Sequence, residues 1–468
     1  LGLTVAVTGA RGFVGKNLVR ELAQGNRVVA LSRSQPSGLP EGVEWRQCDL
    51  FSARSTRDAL KDVDVAYYLV HSMLPSSELF QGSFHDADLH LADNFARACR
   101  DQGVRQIVYL GGILPEGYIS PHLQSRLEVE GVLKQFGLSV TIFRAGMIVG
   151  PGGSSWSMLE SLVRRLPVMI LPRWTKRSTQ AVFLDDVIRA LAAASVQANL
   201  QGKIWDLVNG EALSYAELLR RTAKVLGLRR RALGVPINST AFSKRWVQLF
   251  GGQSFELVSP LIDSLLCDLP APPVPAELSA LIQYRNFEGM AQTSLAREGL
   301  LQRPLVSYQA PKKKLRTILY VHSVRSIQRL PSLPERDADW IAREYMRFLP
   351  QIFRALIQVR IDEDNGKVGF YLSFMEKPLL LLQYIPQDSD RFRRKFHIIG
   401  GFLSATSNTG WLEFRQIENC HYTLAAIHEF VPSLPWWLYR ISQAPLHAWV
   451  MGRFTQHLLL TQHSLRSK

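Results

Sequence analysis

The segment Thr8-Gly9-Ala10-Arg11-Gly12-Phe13-Val14-Gly15 constrains this chain more than any other stretch. It follows a β-branched run over residues 4–8 and opens an amphipathic helical stretch over 15–22. In that context each glycine has its own task. Gly9 permits a tight turn, Gly12 lets the backbone approach a diphosphate, and Gly15 allows the helix to lie close on the sheet. The first helical turn then offers unpaired N–H groups to an anion. The expectation is a dinucleotide-binding turn at the first crossover of a parallel α/β sheet, with Thr8, Phe13 and Val14 completing the loop.

The rest of the first half keeps to that plan. Strand-like runs over 27–32, 65–70, 106–110 and 139–144 alternate with helical stretches such as 88–102. The runs are continuously apolar, as strands covered on both faces should be. The expected fold class is therefore α/β, a Rossmann-type doubly wound parallel sheet. The second strand ends in Leu31-Ser32-Arg33-Ser34. An acidic residue there would bind a ribose 2′-hydroxyl, whereas a guanidinium between two hydroxyls suits a 2′-phosphate. Arg11 adds a second positive charge, so NADP(H) is expected over NAD(H). Asp49 and Leu50, after the third strand, are placed for the adenine edge.

Composition narrows the function classes. The 468 residues are 46% hydrophobic and carry 55 Lys and Arg against 40 Asp and Glu, a net charge of +15. A packed globular protein with anionic company fits, and a disordered chain does not. The basic clusters at 229–231, 312–314 and 391–395 are short and scattered, with no nucleic-acid-binding signature, so no nucleic acid is expected. No apolar run reaches the ~18 residues of a membrane span; Leu379 to Leu382 is bounded by Lys377 and Gln383. Cys48, Cys99, Cys267 and Cys420 are far apart with no C-x-x-C pair, which suits a reducing compartment. No signal-peptide pattern is read in the first residues, so the expected location is the cytoplasm.

These residues, with others downstream, resemble the extended and atypical short-chain dehydrogenase/reductase superfamily over about the first half of the chain. Phe143-Arg144-Ala145-Gly146-Met147-Ile148-Val149-Gly150-Pro151 is similar to its segment contacting nicotinamide and substrate. Val182 to Val187 is similar to its V-x-x-x-D-V element, and Ile204 to Gly210 followed by Ser214 to Gly227 to its strand and S-x-x-E-L helix. With Tyr68-Leu69-Val70-His71-Ser72-Met73 and Tyr109-Leu110-Gly111-Gly112, the chain is most similar to the NmrA-like group. The resemblance implies cofactor contacts at Leu69, Val70, His71, Leu110, Gly111, Gly112, Arg126, Ala145 and Gly146.

The departure from the superfamily pattern matters more. Its reductases use Y-x-x-x-K, and the matching place here reads His122-Leu123-Gln124-Ser125-Arg126. Gly111-Gly112 stands where a Ser or Thr would bind the substrate oxygen. His122 is the candidate proton donor, since an imidazole titrates near neutral pH. The alternative is that it only orients the nicotinamide or caps a helix. Arg126 can hold ribose hydroxyls. His71 lies near the expected nicotinamide edge, and Tyr118 is a weak substitute for the missing tyrosine. Glu128 and Glu130 share the helix with Arg126, and Glu130 at i+4 is expected to pair with it. Cys48 and Cys99 read as packing.

Three domains are expected: 1–235 binding the nucleotide, 236–311 as a helical extension and linker, and 312–468 as a separate α+β unit. Residues 247–269 look helical, and the Pro-rich 270–275 and the stretch 309–314 read as connectors. The last part is expected to hold a strand at 316–324, a helix at 337–348 and a hairpin over 355–374 turning at Asp364-Asn365-Gly366. Further strands are expected at 380–385, 396–405, 410–417 and 422–430, with one aromatic helix over 436–459. In order and texture this resembles a START-like, helix-grip domain, which implies a cavity for a hydrophobic small molecule. Trp436, Trp437, Tyr439 and Trp449 also fit peripheral contact with a membrane surface. His421 and His428 have no third ligand nearby in sequence, so no metal is expected.

The function expected from all this is NADP(H)-dependent oxidation or reduction of a bulky apolar carbonyl or enone. The rival is a non-catalytic NADP(H) redox sensor that reports its occupancy to a partner.

Overall fold

In the computed structural model, residues 2–72, 79–236, 264–269, 272–299, 323–333, 336–354, 356–405, 409–417 and 422–466 are described. The strands through residue 234 are, in chain order, β1 (Thr4–Thr8), β2 (Arg27–Ser32), β3 (Glu44–Gln47), β4 (Val65–Tyr68), β5 (Leu79–Gln81), β6 (Gln106–Gly112), β7 (Ser139–Ala145), β8 (Met147–Val149), β9 (Val168–Leu171), β10 (Ser178–Phe183), β11 (Ile204–Leu207), β12 (Ala212–Ser214) and β13 (Arg231–Gly234). The helices among them are α1 (Phe13–Leu22), α2 (Ala53–Ala59), α3 (Phe84–Asp101), α4 (Pro121–Lys134), α5 (Ser154–Arg165), α6 (Leu184–Ala193) and α7 (Tyr215–Val225). The helix α8 (Phe287–Arg297) follows.

Seven strands form a parallel sheet in the order β11-β7-β6-β4-β1-β2-β3. The order reverses between β1 and β4, and in such sheets the crevice beyond the strand ends at that point receives the ligand. Val5, Val7, Val28, Ala30, Val65, Tyr67 and Val108 are buried in one core with Leu18 and Leu22 of α1 and Val187 and Leu191 of α6. A second core joins α5, α7 and α8 through Trp156, Leu162, Leu218, Phe287 and Met290. The S-x-x-E pattern at 214–217 is realised as a full capping box, with Ser214 and Glu217 satisfying each other's backbone N–H groups at the start of α7.

The chain divides into two compact units: Leu1–Met73 with Leu91–Lys314, and Leu74–His90 with Leu315–Lys468. The sequence division at 312 does not anticipate that residues 74–90 count with the second unit. Residues 276–297, placed in a separate extension by the sequence, pack in the cores of the first.

The second unit is built on β14 (Val324–Pro331), β15 (Ile357–Asp362), β16 (Lys367–Leu372), β17 (Pro378–Tyr384), β18 (Arg393–Gly400), β19 (Gly410–Ile417) and β20 (Tyr422–Phe430). With β5 they form an eight-stranded sheet, β15-β16-β17-β18-β19-β20-β14-β5, antiparallel except for the parallel β14–β5 pair. The helix α9 (Ala338–Ile352), capped by Asp337 on the N–H of Trp340, packs Ile341, Tyr345 and Leu349 into the same core as Phe370, Phe396 and Phe414.

Several expectations are corrected here. The first strand of this unit runs Val324–Pro331 rather than ending at 324, and residues 316–322 lie outside the described residues. The strand expected to reach 405 stops at Gly400, where Gly400 and Gly401 take φ of 154° and 123°. The single aromatic helix is two, α10 (Trp436–Ile441) and α11 (Gln443–Arg466), broken at Ser442. Pro445 has no N–H to give the carbonyl of Ile441, so the chain restarts with proline in a first turn. The aromatic stripe is split in its exposure: Tyr439 is buried, whereas Trp437 is 66% exposed. The expected helix over 247–269 falls mostly, and His421, Cys420 and 309–314 wholly, outside the described residues. No helix among the described residues is long and apolar enough to cross a membrane.

Candidate functional site

At the switch point the three glycines do what their spacing implies. Gly9 has φ +65°, and a Cβ there would lie 2.9 Å from the carbonyl oxygen of Leu69. The Gly12 N–H donates to the Gly9 carbonyl at 2.7 Å, closing the turn. A side chain on Gly15 would collide with the Gly9 carbonyl oxygen, so only glycine lets α1 approach β1 this closely. Thr8 is spent on the scaffold. Its hydroxyl donates to the Tyr67 carbonyl at 2.9 Å and accepts the Leu69 N–H at 3.0 Å, tying β1 to β4.

A cavity of about 400 Å³ opens at this turn. Gly9, Gly12, Phe13, Val14 and Gly15 form one end, and Leu69, Leu110, Gly111, Gly112, Ala145 and Gly146 the middle. His122 and Arg126 face it one helical turn apart on α4, whose cap is the Ser120 hydroxyl accepting the Leu123 N–H at 3.3 Å. The structure therefore brings together most of the residues expected to hold a dinucleotide and both catalytic candidates. Thr8, Arg11, Ser32, Arg33, Ser34, Asp49, Leu50, Val70 and His71 are outside the lining.

Some of those still belong to the neighbourhood. An Nη1 of Arg11 donates to the Ser34 hydroxyl, which draws the end of β2 to the glycine turn. Ser32 is engaged locally, accepting from the Trp45 indole at 3.0 Å and donating to the Ser34 carbonyl at 2.7 Å. Asp49 accepts the Phe51 N–H at 3.2 Å, holding its own loop. His71 Nε2 lies 3.2 Å from His122 Nδ1, so the two histidines form a hydrogen-bonded pair at the cavity edge.

At the corner expected to carry a hydroxyl, Leu123 stands against Gly112. A Cβ on Gly112 would come 2.7 Å from Leu123 Cδ2, so leucine fills the space a Ser or Thr side chain would need. Tyr118 is 65% exposed and lines no part of the cavity. Arg126 lies over the Tyr109 ring, 5.9 Å from its centroid, with Nη1 donating to the phenol oxygen at 3.4 Å.

The expected Arg126–Glu130 pair is corrected. Glu130 is buried and takes Arg144 of β7 in a two-point bridge, at 2.9 Å and 2.6 Å. That fork–fork geometry outcompetes an i+4 contact, and the hydrogen bonds to Glu130 hold the Arg144 guanidinium above its usual pKa. Beside them, burial raises the pKa of Asp206, which Arg144 partly offsets.

Beyond Gly146 the cavity is walled by Met147, Met158, Leu162, Trp174, Leu218 and Leu265. Its polar points there include Thr179, Tyr215 and Ser264. The Tyr215 hydroxyl is pushed up to about 12, chiefly by burial, and so stays protonated at neutral pH. Apart from Met147, these residues were missed at sequence level; only the position of Tyr215 directly after the Ser214 cap could have flagged it. Burial likewise pushes the thiols of Cys48, to about 12, and Cys99 upward, as suits packing rather than nucleophilic roles.

In the second unit, His428 meets His90 and Glu413 rather than a sequence neighbour. Their ligand-capable atoms lie within 4.8 Å of one another. The Glu413 carboxylate is already held by Arg393 at 2.8 Å and Arg415 at 3.1 Å, all buried. Two guanidiniums per carboxylate leave the cluster positive and unsuited to a cation.

Residues 5–207 match the NAD dependent epimerase/dehydratase family. Sterol demethylase protein B of Methylococcus capsulatus is 28% identical over 264 residues, 50% of this chain and 78% of that protein. Ceramide reductase of Caulobacter vibrioides is 28% identical over 245 residues, 50% of this chain and 73% of that protein. Auxiliary protein GraX of Staphylococcus aureus is 29% identical over 110 residues, 23% of this chain, and the chain spans only 36% of its length. Among solved structures, Citrobacter triphenylmethane reductase complexed with NADP(H) superposes with a TM-score of 0.50 at 19% identity, over 62% of this chain and all of its own. Apart from 74–90, the matched residues lie within the first unit, and the Rossmann-type fold of that unit is the one shared with the solved reductase.

Proposed function

We propose that the protein is an NADP(H)-dependent oxidoreductase acting on a bulky apolar carbonyl or enone. One observation carries the reading: a single cavity runs from the glycine turn past His122 and Arg126 into an apolar wall of Met158, Leu162, Trp174 and Leu218. The names of two relatives, a ceramide reductase and a sterol demethylase component, support lipid-like substrates. Arg11, Arg33 and Ser34 support the phosphorylated coenzyme, as does the NADP(H) bound to the Citrobacter enzyme.

The residues fit the coenzyme, since Gly9, Gly12 and Gly15 line the cavity without side chains at the start of α1. The chemistry a nicotinamide coenzyme would supply when bound is hydride transfer, with Gly111 and Gly112 among the residues that would hold it. The α1 N-terminus receives the diphosphate, and Arg126 holds ribose hydroxyls. His122 delivers the proton to the substrate oxygen from Nε2. His71 positions it by engaging Nδ1 and accepting from it when His122 is charged. The apolar wall excludes water and seats the substrate body.

The test is NADPH consumption with a panel of hydrophobic ketones and quinones. His122→Ala is expected to lower kcat about a hundredfold while NADPH affinity changes less than threefold, in the range of general acid catalysis. No consumption with any member, together with a nucleotide-dependent change in oligomer state or protease sensitivity, would establish the redox-sensor reading instead.

A further inference from the structure

The second unit contains a cavity of about 210 Å³, walled by its sheet, by α9 and by the first turns of α11. Tyr345, Phe370, Phe430 and Tyr439 give it aromatic faces, and no Asp, Glu, Lys or Arg lines it. A dry cavity of ~150 Å³ is enough for benzene, so this one suits a molecule of one or two rings.

Its polar groups are few and unevenly matched. His447 Nε2 and the Ser326 hydroxyl lie 3.1 Å apart and satisfy each other. Gln81 and Gln443 also line the cavity, and the amide oxygen of each is buried without a hydrogen-bond partner. The Gln81 amide cannot simply be turned over, because its Nε2 donates to the Ala444 carbonyl at 2.7 Å. Buried acceptors are rarely left unmet. The last torsion of a glutamine side chain is soft, so the Gln443 oxygen can swing onto a donor at little cost, whereas the Gln81 oxygen can only tilt toward one while Nε2 keeps the Ala444 carbonyl.

We propose that this cavity binds a neutral, ring-sized apolar molecule bearing one hydroxyl or N–H donor, received by the amide oxygens of Gln81 and Gln443. Neutrality follows from the lining. A carboxylate would find no cation there, and burial keeps His447 uncharged by lowering its pKa to about 4. The proposal stands apart from the reading of the first unit, since it uses none of that unit's residues.

Calorimetric titration of the full chain at pH 7.5 with 2-naphthol, 2-methoxynaphthalene and 2-naphthoate tests it. 2-Naphthol is expected to bind at least tenfold tighter than its methyl ether, which lacks the donor, and 2-naphthoate to give no heat. Leu446→Trp assigns the site: Leu446 lines the cavity but is 49% exposed, so a larger side chain there blocks entry without disturbing the core. That variant should abolish 2-naphthol binding while NADPH still binds. Gln443→Leu should lower 2-naphthol to the affinity of the ether and leave the ether unchanged, and Gln81→Leu gives the same comparison should the first variant not fold. Equal binding of alcohol and ether, tight binding of the carboxylate, absence of all binding, or 2-naphthol binding that survives Leu446→Trp would each overturn the proposal.

Discussion

The two cavities of this chain are both largely apolar, yet the first has a guanidinium in its lining and the second has no charged side chain. The first is edged by a helix N-terminus and Arg126, and Arg11 in its turn contacts Ser34 beyond the end of β2. The second has only one ionisable imidazole, His447, and burial keeps it neutral. The lesson is that +15 of net charge says little about any one site. In the proposed reading, the first cavity meets a diphosphate with backbone N–H groups, which composition does not count. In the second, the buried charges are consumed among themselves at Glu413, Arg393 and Arg415, away from the lining.

The strongest way to break the comparison is at the backbone cradle. Gly15→Val sets a branched side chain against the Gly9 carbonyl, with no flexible atom to yield. NADPH binding should fall more than a hundredfold by calorimetry, a loss of roughly 3 kcal/mol. Gly131→Ala is the control: a Cβ there meets nothing within 4 Å, and helix α4 should gain up to about 1 kcal/mol. Equal effects of the two would mean that the turn does not grip the coenzyme.

Acid separates the units next. His90, His428 and His447 all have pKa values lowered by burial in the second unit. Below the unfolded value of 6.5 the unfolded chain takes up protons that the native state refuses, so stability falls as pH drops. For His447 the window runs from 6.5 down to about 4, a loss of about 3 kcal/mol across it. Glu413, whose pKa is held low against its own desolvation by Arg415 and Arg393, adds its loss only at lower pH, as the carboxylate protonates. Hydrogen exchange read by mass spectrometry at pH 7, 6 and 5 should therefore show β18–β20 and α11 losing protection before β1, β4 and β6. Simultaneous loss would show that the buried histidines do not set the acid limit.

What the sequence made legible follows from how local each cause is. The glycine turn, the Asp364-Asn365-Gly366 hairpin and the helix starting after Ser214 are each decided within a few residues, and each appears where expected. Bonds between distant residues were not legible. Glu130 had a neighbour at i+4 in view, but its partner Arg144 lies on a strand that only the sheet order brings near. His90 and Glu413 are 323 residues apart (413 − 90), and nothing near His428 hinted at either. The strand β5 has three residues and exists because β14 offers it an edge. Pro445 was visible throughout, yet the apolar and aromatic run around it masked the break at Ser442.

The smallest expected effect concerns which pyridine coenzyme the first cavity takes. Ser32 is occupied by Trp45 and by its own loop, so it has little to give a 2′-phosphate. Arg11 and Ser34 are already in contact, which leaves a phosphate arriving at the end of β2 to be met by two guanidiniums, with Ser34 as a shared hydroxyl. Arg33→Ala should thus weaken NADPH by about 1.5–3 kcal/mol, the range for a hydrogen bond to a charged group. NADH, which lacks that phosphate, should be nearly unaffected, and raising the salt concentration should shrink the difference because the site is exposed. Arg11→Ala should act in the same direction, and the double variant should fall short of the sum, since the two side chains share one phosphate. Equal weakening of both coenzymes would move the 2′-phosphate contact away from β2 altogether and leave the diphosphate cradle as the only charge-selective part of the cavity.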